Sequence, residues 1–177
     1  MIEVHPRLWV GNDEDAARVL WGVNWDVQEA TPRMDRIPLF PGIWAMVSAA
    51  KEPYHRALVG YTGRAAPEGQ EKYSARRGRH LALNWVDVDD ASWFRVTELR
   101  EALTHIEAAQ RMEVDCLVHC NQGVSRSPAL ALGWLYCYGP DEWGALTFER
   151  AEEKFRGVYP TYDPTNGVRE FIREALW

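Results

Sequence analysis

The chain has 177 residues, 46% of them apolar and 26% charged, which is the composition of a soluble globular protein large enough to bury a core. Its formal net charge of −6 argues against a general binder of nucleic acid or membrane surfaces, because those partners attract basic proteins. Three cysteines, no apolar run of about 18 residues and no signal-peptide pattern at the N-terminus predict a cytoplasmic protein without a disulfide framework, a membrane-spanning helix or a membrane partner.

Apolar stretches in the first half of the chain predict two strands and one helix. The first strand covers Arg7–Val10 and ends at Gly11, and helical spacing of apolar residues follows over Asp13–Leu20. Ile43–Ala50 is a continuous apolar run, which is typical of a strand buried on both faces of a sheet. The residues from 51 to 79 are rich in Gly, Pro and charge without clear periodicity, so we interpret them as a long surface excursion.

The second half of the chain alternates strands and helices. A strand is predicted at Leu81–Val88, a helix at Glu98–Met112 with Thr97 as its cap, and a buried strand at Asp115–His119. Further helices are predicted at Ser127–Tyr138, apolar nearly all round, at Phe148–Val158 and at Val168–Leu176. This order predicts an α/β fold in one domain over residues 1–177, with a central, mostly parallel sheet of about five strands flanked by helices.

The most informative segment joins the strand that ends at His119 to the helix that begins near Ser127. Ligands of open α/β sheets bind at the carboxyl ends of strands, and a short loop there can curl so that its N–H groups converge. Together with the N–H groups of the following helix they form a nest for an oxyanion. Gly123 supplies the backbone freedom that such a curl needs.

Two side chains of this segment carry the chemistry of phosphate transfer. The field of the converging N–H groups favours an ionised thiol, so Cys120 is predicted to be a nucleophilic thiolate. Arg126 can hold two phosphate oxygens with its planar guanidinium, which the point charge of a lysine cannot do.

Thiolate attack on a phosphate ester expels an alkoxide or phenoxide that needs a proton. A carboxylic acid on a neighbouring strand end is the natural donor, and Asp87, Asp89 and Asp90 lie where the strand at Leu81–Val88 runs out. In an extended strand Asp87 and Asp89 share one face, so alternation alone does not choose between them.

The segment resembles the signature of dual-specificity phosphatases, within the cysteine-dependent protein tyrosine phosphatase superfamily. That pattern is His-Cys, two residues, Gly, one residue and Ser-Arg-Ser, and positions 119, 120, 123, 125, 126 and 127 match it. Similarity extends to the opening strand at Ile2–Gly11, the second strand at Trp44–Glu52, the helix at Glu98–Glu107 and the closing stretch at Tyr159–Phe171. The excursion at 51–79 departs from the family, being longer.

The resemblance implies a role for each matched residue. The ungapped alignment of the helix at Glu98–Glu107 places Asp89 at the general acid, with Asp87 as second choice. Ser127 would stabilise the departing thiolate, and His119 would orient the loop. The implied phosphate-binding loop consists of Asn121, Gln122, Gly123, Val124, Ser125 and Arg126, and neither a metal nor another cofactor is implied.

Plainer interpretations compete for several residues. Cys116, His119 and Cys120 lack the spacing of a metal site, and Cys116 and Cys137 are expected in the core. The basic group Arg76, Arg77 and Arg79 is either a solvated face or a collar that attracts phosphorylated substrate. The residues His55, Tyr61 and Arg64 either pack within the excursion or line the mouth of the pocket.

The sequence therefore predicts a phosphatase that acts through a phosphocysteine intermediate. Its loop positions Asn121, Gln122, Val124 and Ser125 are uncharged, which disfavours a highly anionic lipid headgroup. Phosphotyrosine in proteins is the leading substrate, followed by phosphoserine and phosphothreonine. The alternatives are a phosphoglucan, an RNA 5′ end or a phosphoinositide as substrate, and a non-catalytic phospho-binding module.

Overall fold

The computed structural model describes residues 1–21 and 43–177. It contains a π turn at Lys51–His55 and a 3₁₀ turn at Ala91–Trp93 in addition to strands and α-helices. The strands are β1 Ile2–His5, β2 Leu8–Gly11, β3 Ala45–Ser48, β4 Ser74–Arg77, β5 His80–Leu83 and β6 Cys116–His119. The α-helices are α1 Asp13–Trp21, α2 Arg56–Val59, α3 Val96–Arg111, α4 Arg126–Tyr138, α5 Asp141–Gly144, α6 Phe148–Val158 and α7 Asn166–Leu176.

The strands form one mixed sheet in the order β1-β2-β6-β3-β5-β4. The four inner strands β2, β6, β3 and β5 are parallel, and an antiparallel strand closes each edge. The predicted α/β class with a mostly parallel sheet is confirmed, but the sheet has six strands rather than about five. The stretch Ile2–Gly11 is a hairpin, not a single strand, because the chain reverses at Arg7 with a φ of 63°.

Both faces of the sheet are buried, as the apolar strands predict. On one face Val47 and Val118 pack with residues of α3, α4, α6 and α7 in the larger core cluster. On the other face Met46 and Leu117 pack with residues of α1, α2 and the π turn in a smaller cluster. Neighbouring residues of one strand thus serve opposite layers.

The segment 51–79 contains secondary structure that was not predicted from its sequence. It contains the π turn, α2 and the edge strand β4, and it buries Tyr54 and Leu58 against the sheet. The interpretation of these residues as a long surface excursion assigned no helix or strand to them, whereas the structure places an edge strand of the sheet there. The strand β4 is not recognisable from the polar sequence of this segment, because only Ala75 of that strand is buried.

Two predicted boundaries also differ from the structure. The strand predicted to reach Val88 ends at Leu83, and residues 84–95 leave the sheet, so the alternation argument for the aspartates does not apply. Helix α3 begins at Val96 with Arg95 at its cap, so Thr97 lies inside the helix.

Helix α4 is the central buried helix that its composition predicts. Every residue from Arg126 to Leu135 is buried, whereas Cys137 in the last turn is exposed, so its predicted core position is wrong. The helix leaves the core at that turn. Among residues 1–21 and 43–177, no helix combines the length and the apolar character that crossing a membrane requires.

Candidate active site

The loop between β6 and α4 lies at the carboxyl ends of the parallel strands. The peptide N–H of Ala49, just beyond β3, donates to the carbonyl of His119 over 2.8 Å, and β2 ends beside the loop at Gly11. Gly123 has a φ of 75°, and a Cβ there would lie 3.0 Å from the Gly11 carbonyl oxygen. The tight curl and the close approach of β2 both require glycine at this position.

The sulfur of Cys120 lies inside this curl. The side chain is fully buried, and Sγ accepts hydrogen bonds from the N–H of Gly123 and the hydroxyl of Ser127, both over 3.3 Å. The Ser127 hydroxyl also lies 3.2 Å from the Gly11 carbonyl, and its one proton serves one acceptor at a time. Both donors stabilise negative charge on the sulfur.

The guanidinium of Arg126 is buried over the same loop. Its Nη1 donates to the Trp85 carbonyl over 3.1 Å, and its Nη2 donates to the side-chain carbonyl of Asn121 over 3.0 Å. Within the described residues its Nε has no hydrogen-bond partner, although it lies 3.5 Å from Oδ2 of Asp87. A buried donor without an acceptor is costly, which suits a site built for an anionic ligand.

Asn121 connects the guanidinium to two other parts of the chain. Its amide nitrogen donates to Oδ2 of Asp13 over 3.1 Å and to the carbonyl of Glu52 over 2.8 Å. The amide is therefore fixed in one orientation, and its carbonyl oxygen is held against Arg126. Nothing in the sequence pointed to this bridge, because Asp13 is 108 residues away from Asn121.

Asp87 is bound to the loop through the side chain of Ser125. Its Oδ1 accepts the hydroxyl proton of Ser125 over 2.8 Å. The Thr165 hydroxyl lies 3.1 Å from both Oδ1 of Asp87 and the Val88 carbonyl, and its one proton serves one acceptor at a time. The N–H of Thr165 also donates to the hydroxyl oxygen of Ser125 over 3.2 Å. A carboxylate that accepts these contacts and faces Arg126 supports the loop and is poorly placed to carry a proton for transfer.

The other two aspartates differ from Asp87 and from each other. Asp90 caps the 3₁₀ turn, where Oδ1 accepts the N–H of Ser92 over 2.9 Å, and hydrogen bonds from the side chain and the backbone of Ser92 lower the pKa of Asp90. Asp89 is exposed, and its carboxylate makes no hydrogen bond or ion pair with another described residue. Its backbone packs against Gly167 at the start of α7. Of the three, Asp89 has the carboxyl group that is free of structural contacts in the described part of the chain.

His119 is held by a buried polar chain behind the loop. The Ser48 hydroxyl lies 2.6 Å from Nε2 of His119 and 2.8 Å from Nε2 of His80, so it donates to one ring and accepts from the other. Burial lowers the pKa of each histidine to about 3, so both rings are neutral. The 3.9 Å approach of His119 Nδ1 to Asp13 is therefore not an ion pair.

Asp13 and Tyr54 complete the wall beside His119. The Tyr54 ring packs edge-on against His119 with ring centres 4.4 Å apart. Burial raises the pKa of the Asp13 carboxyl, against the opposing effects of hydrogen bonds from Asn121 and Tyr54 and of the Arg126 charge. The contacts with Ser48 and Tyr54 fix the orientation of the His119 ring, and its role in orienting the loop stays a prediction.

A segment after α6, which we call the strap (residues 159–165), is hydrogen-bonded to carbonyl groups of the loop. The Tyr159 hydroxyl donates to the Gly123 carbonyl over 2.7 Å, and the N–H of Asp163 donates to the Val124 carbonyl over 2.8 Å. Gln122 is exposed at the tip of the loop. The family resemblance included this stretch, but its contacts with the loop were not predicted.

The plainer interpretations apply to most of the remaining candidates. Arg77 pairs with Glu71 and Arg79 contacts the Ile43 carbonyl, and both lie at the amino ends of β5 and β3, away from Cys120, as does Arg76. The alternative of a substrate-attracting collar is therefore wrong, because β4 runs antiparallel to the inner strands and its carboxyl end lies at the edge of the sheet opposite Cys120. His55 and Tyr61 contact each other within the segment 51–79. In the ranges 1–21 and 43–177, no three His, Cys, Asp or Glu side chains are arranged to hold a metal.

Comparison with known proteins establishes the fold. No protein-family model and no curated protein matches the sequence. Solved structures do match. DUSP15 has 19% sequence identity, the match covers 100% of this chain and 87% of DUSP15, and the TM-score is 0.60. Human DUSP28 also has 19% identity, with 99% of this chain and 91% of DUSP28 covered and a TM-score of 0.59. Human tyrosine phosphatase-like serine/threonine/tyrosine-interacting protein has 16% sequence identity, with 98% of this chain and 93% of that protein's chain covered and a TM-score of 0.58. The chain has the fold of the dual-specificity phosphatases.

Proposed function

We propose that this chain is a cysteine-dependent phosphatase that hydrolyses phosphomonoesters, with phosphotyrosine in proteins as its leading substrate. The observation that carries the proposal is the arrangement around Cys120. Its sulfur accepts hydrogen bonds from two donors inside a curled loop, and the same loop presents the buried guanidinium of Arg126, whose Nε makes no hydrogen bond within the described residues. The fold likeness to dual-specificity phosphatases supports the same conclusion.

In the first step the Cys120 thiolate attacks phosphorus in line with the bond to the leaving oxygen. The new S–P bond forms as the P–O bond breaks, and the protonated Asp89 gives its proton to the leaving alkoxide or phenoxide. The product alcohol departs and a phosphocysteine remains. Asp89 fits this role because Asp87 and Asp90 are engaged in contacts that support the loop and the 3₁₀ turn.

In the second step the ionised Asp89 removes a proton from water as the water oxygen attacks phosphorus. The S–P bond breaks, inorganic phosphate leaves, and the sulfur regains its negative charge. The hydroxyl of Ser127 lies 3.3 Å from Sγ and donates to the departing thiolate. In both steps Arg126 and the loop N–H groups stabilise charge on the three equatorial oxygens.

A protein side chain fits the loop better than a highly anionic small molecule. The residues between Cys120 and Arg126 include no lysine or arginine, so the loop itself neutralises the charge of one phosphate group and not of several. A phosphoinositide headgroup or an RNA triphosphate end carries more negative charge than this loop can balance. Phosphotyrosine carries a single phosphate at the end of a long, flat side chain.

Hydrolysis of para-nitrophenyl phosphate without added metal, inhibited by vanadate, tests the proposal. We expect Cys120→Ser to abolish turnover, while Cys137→Ser, which changes an exposed cysteine of α4, leaves the rate unchanged. A Cys120→Ser variant that retains the wild-type rate would contradict the mechanism. Phosphopeptide binding by the wild-type protein without any hydrolysis would instead identify a phospho-binding module.

A further inference from the structure

A cavity lies between the segment 51–79 and the segment 84–95 that carries Asp89. Its volume is about 540 Å³. Trp93, with 65% of its surface exposed, and Tyr73 contribute aromatic rings to its wall. Four cationic side chains also line it: Lys51, Arg64, Lys72 and Arg95.

The positive charge around this cavity is mostly uncompensated. Lys72 pairs with Glu68, but Lys51 donates to the carbonyl of Arg64, which carries no charge. The Arg95 guanidinium lies 4.2 Å from the centre of the Tyr73 ring, and neither it nor Arg64 forms an ion pair with a carboxylate in the described ranges. This concentration of cations is unusual in a chain with a net charge of −6.

The one buried carboxyl in the lining cancels only part of this charge. Glu98 is 3% exposed, and the Trp85 indole N–H donates to its Oε2 over 2.5 Å. Burial raises the pKa of Glu98 to about 7, so the group is only partly ionised near neutral pH. Its carboxyl belongs to the floor of the cavity, beneath the cationic rim.

The cavity is joined to the candidate active site through one peptide group. The Trp85 carbonyl accepts Nη1 of Arg126 over 3.1 Å and the backbone N–H of Lys51 over 2.9 Å. Lys51 lines the cavity, so the cationic wall begins beside the residue that holds the guanidinium. One peptide group therefore separates the guanidinium of Arg126 from a residue of the cavity lining.

We propose that the cavity is a second anion subsite, which binds an acidic group of the phosphorylated protein substrate close to the phosphate being removed. The inference rests on the proposed function and specifies its substrates. The group is a carboxylate or a second phosphate, since both present oxygens that Arg64 and Arg95 can hold. Trp93 at the rim contacts the peptide between the two groups.

Phosphotyrosine peptides that differ at one flanking position test the subsite. The position carries Glu, phosphoserine or Gln, and kcat/KM is measured for each peptide at low and high salt. We expect the acidic peptides to exceed the Gln peptide by about three- to tenfold, as two partly exposed ion pairs allow. The advantage should shrink at high salt because ions screen exposed charges. The larger of the two acidic effects identifies the source of the anion.

Variants then locate the effect. Arg64→Ala combined with Arg95→Ala should remove the preference, whereas Arg76→Ala, which removes a positive charge from β4 outside the lining of the cavity, should retain it. Arg95→Glu should reverse the preference toward a peptide with Lys at that position, a gain that misfolding cannot produce.

The outcomes separate the two proposals. Wild-type protein that cleaves para-nitrophenyl phosphate but treats acidic and neutral peptides alike overturns the subsite and leaves the phosphatase proposal standing. A preference that Arg76→Ala abolishes and the Arg64/Arg95 variant retains also overturns the subsite. Absence of all hydrolysis overturns both proposals.

Discussion

The side-chain carbonyl of Asn121 accepts a hydrogen bond from Nη2 of Arg126 over 3.0 Å, across the loop that contains both residues. The amide nitrogen of Asn121 is held in turn by Asp13 and by the Glu52 carbonyl. The guanidinium is thus ordered before substrate arrives, through contacts from α1 and from the segment that follows β3. Preorganised charge of this kind contributes more to catalysis than charge that must be ordered during the reaction.

Removing this support should weaken phosphate binding and turnover without unfolding the chain. We expect Asn121→Ala to lower kcat/KM for para-nitrophenyl phosphate by about 10- to 100-fold, the effect of losing one hydrogen bond to a charged group. Asp13→Ala should lower it by a smaller factor, and Asp13→Asn should restore most of the loss because an amide oxygen still accepts from Asn121. Equal losses in Asp13→Asn and Asp13→Ala would show that the charge, rather than the hydrogen bond, matters.

The two aspartates near the loop should give different kinetic defects. Asp89→Asn should slow the cleavage of alkyl phosphates by about a hundredfold or more, because an alkoxide leaves poorly without a proton. Para-nitrophenolate is a much better leaving group, so its release should be affected far less. The comparison of the two substrates, for each variant, is the measurement.

Asp87→Asn is the matched control for the acid assignment. Its amide oxygen still accepts from Ser125 and Thr165, but the charge facing Arg126 is lost. We expect a defect of similar size with both substrates. A defect in Asp87→Asn that grows with the basicity of the leaving group would transfer the role of acid from Asp89 to Asp87.

Gly167 holds the segment with Asp89 against the start of α7. A Cβ at this position would lie 2.4 Å from the Val88 carbonyl oxygen and 2.8 Å from the carbonyl carbon of Asp89. Because backbone atoms cannot move aside cheaply, Gly167→Ala should cost about 1–3 kcal/mol of stability and should slow alkyl phosphate cleavage.

Gly157→Ala provides the control for Gly167. A Cβ at Gly157 meets no atom within 4 Å, and the residue lies in α6, where alanine is the better helix former. Thermal unfolding should therefore show a lower Tm for Gly167→Ala and an equal or higher one for Gly157→Ala. Equal Tm values for the Gly167→Ala variant and the wild type would contradict the packing argument.

Glu98 should make the stability of the protein depend on pH. Burial raises its pKa from 4.5 to about 7, so the folded chain keeps a proton that the unfolded chain has released. The free energy of unfolding therefore falls as pH rises from about 4.5 to about 7, and the contribution is fully present only below that window. At about 1.4 kcal/mol per pH unit, the change is on the order of 3 kcal/mol.

Glu98→Gln removes this titration and keeps an oxygen for the Trp85 indole. Urea unfolding at pH values from 4.5 to 8 should show the variant gaining stability relative to the wild type as pH rises. Other titrating groups, including His80 and His119, cancel in that difference. Glu170→Gln, which changes an exposed residue of α7, should run parallel to the wild type. A Glu98→Gln curve parallel to the wild type would show that Glu98 is ionised throughout this range.

The motif around Cys120 and the buried strands could be predicted because each depends on residues that are close in sequence. The strands predicted at Ile43–Ala50 and Asp115–His119 appear as β3 and β6 because an inner parallel strand is apolar on both faces. Edge strand β4 has one buried residue, Ala75, and left no such signal. The alternation of apolar and polar residues continues to Val88 although β5 ends at Leu83, so the pattern predicted a strand that was too long.

The support of the loop could not be predicted, because it depends on contacts between distant parts of the chain. Asp13 and Thr165 are ordinary polar residues in the sequence, and only the fold brings them to Asn121 and Asp87. The cationic cavity is similar, since Arg64 and Arg95 belong to separate segments. Alternation gave no choice between Asp87 and Asp89, and the hydrogen bonds of Asp87 now support the choice that the family resemblance suggested.

The strap has a consequence for the order in which the protein matures during synthesis. A ribosome completes residues 120–126 well before it adds Tyr159 and Asp163, whose hydrogen bonds hold the Gly123 and Val124 carbonyls. The nascent chain therefore carries every signature residue before it can form the two hydrogen bonds that hold the loop. A chain cut short before Tyr159 would keep the motif without these two hydrogen bonds, and we expect it to lack the proposed phosphatase activity.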